Sequence, residues 1–339
     1  MAVRSTRVVV TRRLPDPVQT RMRDLFHVWF NSADRPLGRD GLVAQSAECD
    51  VLVSTITDPL DAKTIAALGA NVRLIAQFGA GYDNIDIEAA AARGITVTNT
   101  PSVLTEDTAD MAMALILSVP RRLIEGAQVL LKDGKWAGWS PTWMLGRRLS
   151  GKALGIVGLG RIGAAVARRA KSFGLEINYY ARDRKPKTLE EPLGARFWAS
   201  LDEMLAHVDI VSLHVPASAT TRNIINSARI SLMKPQAFLV NLARPELVDE
   251  DALIAAIEGG RLSGAALDVF DYTSSINSRL LALARAHKVV LTAHMGSATL
   301  ESRIEMGETV IVNIRAFVDG HTPPNRVLPE RPAQLAAEG

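Results

Sequence analysis

The chain reads as an α/β protein built on two doubly wound parallel sheets, with one domain inserted into the other. Three observations predict this. Short β-rich runs alternate with amphipathic helical patterns almost throughout, the signature of parallel strands joined by helical crossovers. The alternation continues on both sides of one glycine-rich turn, Gly158-Leu159-Gly160-Arg161-Ile162-Gly163, so two doubly wound units share the chain and the turn opens the second. At 339 residues the chain is long enough to bury two cores.

In the first unit, strands are predicted at Arg7–Val10, Val51–Ser54, Val72–Ala76 and Ile95–Thr98. Helical patterns lie near Asp16–Leu25, Asp40–Ala47, Asp61–Leu68 and Asp86–Ala92. The chain is expected to enter the second unit near Thr100–Pro101. There Thr105 can cap a helix reaching Leu117, whose Ala, Met, Leu and Ile residues are apolar on more than one face. That pattern predicts burial, either in a subunit interface or in the core of the same chain. A strand ending at Val157 leads into the glycine turn, and a helix follows from Ala164 to Phe173. Further strands are predicted at Leu175–Tyr180, Ile210–His214, Ala237–Asn241, Gly264–Asp268 and Val289–Thr292, with helices near Leu201–Ala206 and Glu250–Gly259. The chain is expected to leave this unit near Ala293–His294 and to close with a helix, Ser302–Val318, packed on the first. The predicted domains are therefore 1–100 plus 294–330, and 101–293. The Ala/Glu/Pro-rich stretch 331–339 is expected to lack fixed structure.

Each glycine of the turn has a physical task. Gly158 permits a tight turn, Gly160 lets a pyrophosphate approach the backbone, and Gly163 allows close packing of helix on strand. The helix that starts with Arg161 and Ile162 then offers N–H groups and a partial positive charge to phosphate. These features predict a dinucleotide site in a Rossmann-like unit, beside a Rossmann-like or flavodoxin-like partner domain. At the end of the next strand an NAD site usually carries a carboxylate for the ribose hydroxyls, but this chain has Ala181. The loop continues Arg182, Asp183, Arg184, Lys185, which suits a 2′-phosphate, so NADP(H) is the preferred cofactor. NAD(H) stays possible, since Asp183 can meet a ribose if the loop bends.

Bulk properties exclude several classes. Charged residues make up 22% of the chain and the net charge is +3, with lysines and arginines scattered, so nucleic acid is not an expected partner. No uncharged stretch reaches membrane-spanning length. Cys49 is the only cysteine, which rules out an intrachain disulfide or a cysteine-based metal cluster and fits a reducing, cytoplasmic setting. No metal is expected.

Taken together, Gly158 to Gly163, Asn241-Leu-Ala-Arg244, Asp268-Val-Phe270 and Ala293-His294-Met-Gly296-Ser297 resemble the D-isomer-specific 2-hydroxyacid dehydrogenases. Phe78-Gly79-Ala80-Gly81-Tyr82-Asp83 and the run from Pro101 to Asp110 also fit, and the similarity covers nearly the whole chain. Within that family the chain is most similar to glyoxylate/hydroxypyruvate reductases, through Trp136-Ala-Gly-Trp139-Ser-Pro-Thr-Trp143 and the basic loop after Ala181. The resemblance implies a substrate domain beside the dinucleotide domain. It also implies NADPH-preferring reduction of small 2-keto acids to D-2-hydroxy acids, and a homodimer. Arg244 would hold the substrate carboxylate and polarise its carbonyl. Backbone N–H groups at Ala80 and Gly81 would clamp the carboxylate. His294 would be the acid in reduction and the base in oxidation. By the same resemblance Ser297 lies with the substrate, and Asp268, Val215, Pro216, Leu242, His294 and Gly296 lie along the cofactor. Trp139 matches an aromatic position that can reach into the neighbouring subunit's site. His207, His214 and His321 have no such context.

Three departures surround the site. The family places a glutamate five residues after the aspartate that is Asp268 here; this chain has Thr273. Threonine carries no negative charge, so the histidine pKa is expected to fall by about one to two units, moving reduction to lower pH. Asp271 is the nearest carboxylate that could substitute. Pro245 follows Arg244 where glycine is usual, and Ala293 precedes His294 where proline is usual. Two alternatives follow: a dehydrogenase of altered substrate, with Thr273 touching a group the glutamate would repel, and a non-catalytic dinucleotide-sensing binding protein.

Overall fold

The computed structural model describes residues 5–271 and 275–329. Within them the chain forms two compact units, one made of the chain up to Leu104 and from Thr299 onward, the other of Thr105–Ala298. Thr273 and the tail at 331–339 lie outside the described residues.

The first unit holds a six-stranded sheet. Its strands are β1 (Arg7–Val10), β2 (His27–Phe30), β3 (Val51–Ser54), β4 (Leu74–Gln77), β5 (Thr96–Thr98) and β13 (Arg326–Val327), in the order β13-β5-β4-β3-β1-β2. β1 to β5 run parallel, and β13 returns antiparallel with Arg326 opposite Thr98. The helices are α1 (Asp16–Leu25), α2 (Gly38–Ser46), α3 (Ala62–Ala67), α4 (Ile87–Ala92) and α13 (Leu300–Val318). The starts of α3 and α4 are set by side chains: the Asp61 and Asp86 carboxylates accept the N–H of Thr64 and Ala89, each at 2.9 Å. β3 and β4 show no polar alternation because both their faces are covered. Val53 and Leu74 face Val310 and Ile314 of α13, while Leu52 and Ile75 pack with Leu42 and Ile65 on the other side. β2, not anticipated from the sequence, is an edge strand whose exposure alternates.

The second unit has seven parallel strands: β6 (Ala153–Val157), β7 (Glu176–Tyr180), β8 (Arg196–Trp198), β9 (Ile210–Leu213), β10 (Phe238–Asn241), β11 (Gly264–Leu267) and β12 (Val289–Leu291). Their order is β12-β11-β10-β9-β6-β7-β8, so the winding reverses between β6 and β9. The helices are α5 (Thr105–Ser118), α6 (Leu123–Asp133), α7 (Arg161–Ser172), α8 (Lys187–Leu193), α9 (Leu201–His207), α10 (Ser227–Leu232), α11 (Glu250–Glu258) and α12 (Ser278–Arg285). Of the two burials open for α5, the core of its own chain holds: Ala109, Ala112, Leu115 and Ile116 pack with Leu154, Ile156 and Val166. The apolar face turned to solvent belongs instead to α6, which the sequence reading passed over, with Leu123, Leu130 and Leu131 exposed.

The chain passes between the units at Leu104–Thr105 and Ala298–Thr299, a few residues beyond the expected crossings at 100–101 and 293–294. At the second crossing the reason is a set of bonds from residues 294–296 to Asp268 at the end of β11, which keeps His294 with the dinucleotide unit. Among the described residues no helix is long and apolar enough to cross a membrane.

Candidate active site

In an open parallel sheet the crevice opens at the carboxyl ends of the strands where the winding reverses, here between β6 and β9. The turn after β6 has the geometry that its spacing predicts. Gly158 sits at φ +99, and a Cβ there would stand 2.6 Å from Val215 Cγ1 and 2.7 Å from the His214 carbonyl oxygen. A Cβ on Gly163 would stand 2.2 Å from the Gly158 carbonyl oxygen, so the helix can approach only as glycine. A Cβ on Gly160 would meet nothing within 4 Å. Gly160 caps α7 in an extended conformation without a side-chain acceptor, so the first-turn donors at Arg161 and Ile162 are left for an anion. The cradle therefore fits a dinucleotide pyrophosphate. Val215 lines it beside Gly158, and Pro216 follows with its carbonyl accepting the Thr221 hydroxyl at 2.7 Å.

The basic loop after β7 differs from expectation at one residue. Arg184 was expected to face a 2′-phosphate. Its guanidinium instead forks onto Glu190, with Nε and Nη2 at 3.0 and 2.8 Å from the two carboxylate oxygens. Glu190 is buried and also accepts the Tyr179 hydroxyl, which in turn accepts the Lys185 N–H at 2.8 Å. Arg184 and Tyr179 hold the Glu190 carboxyl below the usual carboxylate range. Burial, with the same carboxylate beside it, pushes the Tyr179 hydroxyl up to about 12. Arg182 and Asp183 are exposed and Lys185 is half-buried, and no hydrogen bond among the described residues ties the Arg182 or Lys185 side chain.

Arg244 lies just past β10 on the same edge. Pro245 starts a short 3₁₀ turn and constrains the residue before it, and Arg244 is extended at φ −144, ψ 145. The Asn241 side-chain amide donates to the Arg244 carbonyl at 2.8 Å and accepts the Ala243 N–H at 3.0 Å, which fixes the strand end; Leu242 is buried beneath. The Arg244 guanidinium donates through Nη1 to the Ala243 carbonyl at 2.8 Å.

His294 follows β12, two strands away. Its φ of +53 lies in the left-handed region, which costs a non-glycine residue about 1–3 kcal/mol. Asp268 holds it there. The Asp268 carbonyl accepts the His294 N–H at 2.9 Å, and its carboxylate accepts the Thr292 hydroxyl at 2.6 Å and the Met295 and Gly296 N–H groups at 2.8 Å each. Asp268 was expected along the cofactor; it is a buried anchor for the loop that presents His294, with Gly296 fitted close against it and Ser297 half-buried beyond. Freed from proline at 293, this backbone takes its shape from the carboxylate.

In the first unit, the loop after β4 carries Ala80 and Gly81. The carbonyls of Gly79, Ala80 and Gly81 accept from Thr100 N–H, the Asn99 amide and the Gln77 amide at 2.9, 2.7 and 3.2 Å. With the carbonyls committed inward, this loop can offer backbone N–H groups on its other side. Trp139 is 79% exposed, in a segment where the Trp136 and Trp143 rings meet tilted at 43° with centroids 6.3 Å apart. His214 follows β9 with its carbonyl directly against Gly158 and its Nε2 2.8 Å from Ser212 Oγ, although the sequence offered it no site context. Burial lowers its pKa from 6.5 to about 4, so the ring is neutral. Its position at a predicted strand end was the available signal. Among the described residues no cluster of His, Cys, Asp and Glu is placed to hold a metal ion.

Residues 113–296 match the family model for the D-isomer specific 2-hydroxyacid dehydrogenase, NAD binding domain. The chain is 43% identical over 325 residues to a glyoxylate reductase of Thermococcus litoralis, covering 95% of this chain and 96% of that one. Among solved structures, a D-isomer specific 2-hydroxyacid dehydrogenase from a Polaromonas species superposes with a TM-score of 0.89 at 36% identity, covering 95% and 99% of the two chains. An NADPH-dependent glyoxylate/hydroxypyruvate reductase from Sinorhizobium meliloti, solved with NADP and malonate, gives 0.81 at 31% identity over 96% and 99%. The doubly wound sheets, the glycine cradle and these likenesses agree: the chain belongs to the D-isomer specific 2-hydroxyacid dehydrogenase family and is an NAD(P)-dependent oxidoreductase.

Proposed function

We propose that this protein reduces small 2-keto acids of the glyoxylate and hydroxypyruvate class to D-2-hydroxy acids, with NADPH preferred over NADH. One observation carries the reading. Arg244 and His294 stand on the carboxyl edge that bears the glycine cradle, each held by a backbone constraint of its own, a following proline and a buried carboxylate. When bound, reduced nicotinamide supplies the hydride. Arg244 grips the carboxylate and polarises the carbonyl, and the Ala80 and Gly81 N–H groups add to the grip. His294 gives its proton to the carbonyl oxygen as carbon receives the hydride, and recovers one from water. Preference for the 2′-phosphate rests on Arg182 and Lys185, because Arg184 is committed to Glu190. The exposed face of α6 and the tryptophans around Trp139 support a homodimer, and the free, buried Cys49 suits a cytoplasmic setting.

The test is single-turnover oxidation of NADPH with glyoxylate and hydroxypyruvate between pH 5 and 8. A rate that falls as pH rises is expected, since the protonated imidazole is the donor. Absence of turnover across a 2-keto acid panel would sink the reading. Thr273 favours a second one, a dehydrogenase for a different carbonyl compound. Restoring the carboxylate with Thr273→Glu improves keto acid reduction under the first reading and abolishes the true activity under the second. A non-catalytic dinucleotide sensor would be indifferent to His294→Ala.

A further inference from the structure

The opposite, amino-terminal edge of the second sheet carries a feature that the reaction does not use. Beside the starts of β6, β9 and β10, Arg147 and Arg148 line a partly open cavity of about 170 Å³. Its floor is apolar and buried, formed by Leu149, Ile210, Ala237 and Phe238. Its rim is cationic, with Arg147, Arg148 and Lys152. The carboxylate in its wall, Asp209, is already matched. One oxygen accepts the Ala153 N–H at 2.9 Å and the other lies 3.2 Å from Lys234 Nζ. Three positive charges therefore border one small space with no lining carboxylate left to offset them. Gln236 in the same wall holds a left-handed backbone at φ +68 and accepts from the Arg147 guanidinium, which aims that side chain at the cavity.

We propose that this cavity binds a small multivalent oxyanion, a phosphate ester or a polycarboxylate. Guanidinium groups fork onto such oxygens, and an apolar floor strengthens charge-assisted hydrogen bonds. The volume is below the roughly 300 Å³ of ordinary small-molecule pockets, so the ligand is an anionic head with few further atoms. Its place gives it a mechanical effect. Pro120 and Arg147 are the two lips, joined by the Arg147 N–H donating to the Pro120 carbonyl at 2.8 Å. Between them the chain makes the excursion that contains α6 and the three exposed tryptophans. An anion bridging Arg147, Arg148 and Lys152 ties the root of that arm to the sheet and slows its local opening.

Hydrogen exchange on the NADP⁺-saturated protein tests this, with inorganic phosphate or citrate at about 10 mM and sodium chloride at matched ionic strength. Either polyanion is expected to slow exchange about threefold or more in 145–153 and 234–238, and chloride is not. The stronger of the two identifies the site as one for phosphate esters or for polycarboxylates. Arg147→Gln with Arg148→Gln removes the slowing and leaves NADPH turnover unchanged; Lys152→Gln, which leaves the arm root intact, weakens it. Slowing confined to 158–164 or 78–81, equal slowing by chloride, or slowing that survives in the variants overturns the proposal.

Discussion

Two loops on the carboxyl edge of the second sheet are each fixed by a buried carboxylate, with opposite results. Asp268 collects a hydroxyl and two backbone N–H groups, all neutral donors, so the loop that carries His294 is held without drawing on a charged side chain. Glu190 collects a guanidinium and a phenol, so the loop after β7 is held by consuming one of its own cations. The lesson is that a charged residue at the right place in a motif is a candidate only until its neighbours are known. A buried carboxylate can fix a loop through neutral donors or by engaging one of the loop's own cations.

The sharpest break of this comparison is at His294 itself. His294→Ala is expected to cost about 10²–10⁴-fold in kcat, while the left-handed backbone stays equally strained with alanine. Asp268→Ala should lose about as much kcat and also lower stability by roughly 3 kcal/mol, since three donors are left without their acceptor. A variant that kept full turnover would show that the loop does not need its anchor. Arg244→Lys, which keeps the charge and removes the fork, is expected to lower kcat/KM by about 10²-fold, measured with glyoxylate.

The second loop gives a smaller, more discriminating effect. Arg182→Gln should raise KM for NADPH about tenfold or more and leave that for NADH nearly unchanged. Arg184→Gln should leave both within about twofold while lowering Tm, because it leaves the buried Glu190 without its cation. The reverse pattern would mean that Arg184 releases Glu190 when the cofactor binds. Smallest is a stability effect at His214. The folded group stays neutral down to about 4, whereas the unfolded imidazole takes a proton near 6.5. The unfolded state thus binds more protons in that window, and stability falls as pH drops from about 6.5 toward 4, by on the order of 2–3 kcal/mol. Denaturant midpoints should show this acid limb, and His214→Asn should flatten it.

What was legible in the sequence was local. Gly158, Gly160 and Gly163 announce themselves because turn, approach and packing are all set within six residues. Central strands such as β3 and β4 read clearly because burial on both faces leaves an unbroken apolar run. Edge strands β2 and β8 and short helices such as α10 and α12 were missed, since few residues carry their pattern. The roles of Asp268 and Arg184 were hidden for another reason. The first depends on partners more than twenty residues away, and the second on the burial of Glu190, which only β7 and α8 packed together can reveal. His214 was set aside as lacking context, although its strand end lies against Gly158.

A bond from the Arg147 N–H to the Pro120 carbonyl spans the base of the excursion, with a second from the Arg122 guanidinium to the Leu145 carbonyl beside it. Together they close a loop at its neck, so changes of length within 121–146 are absorbed outside the closure and leave the strands in register. That makes the segment a natural graft point. A replacement of different length there is expected to leave the seven-stranded sheet intact.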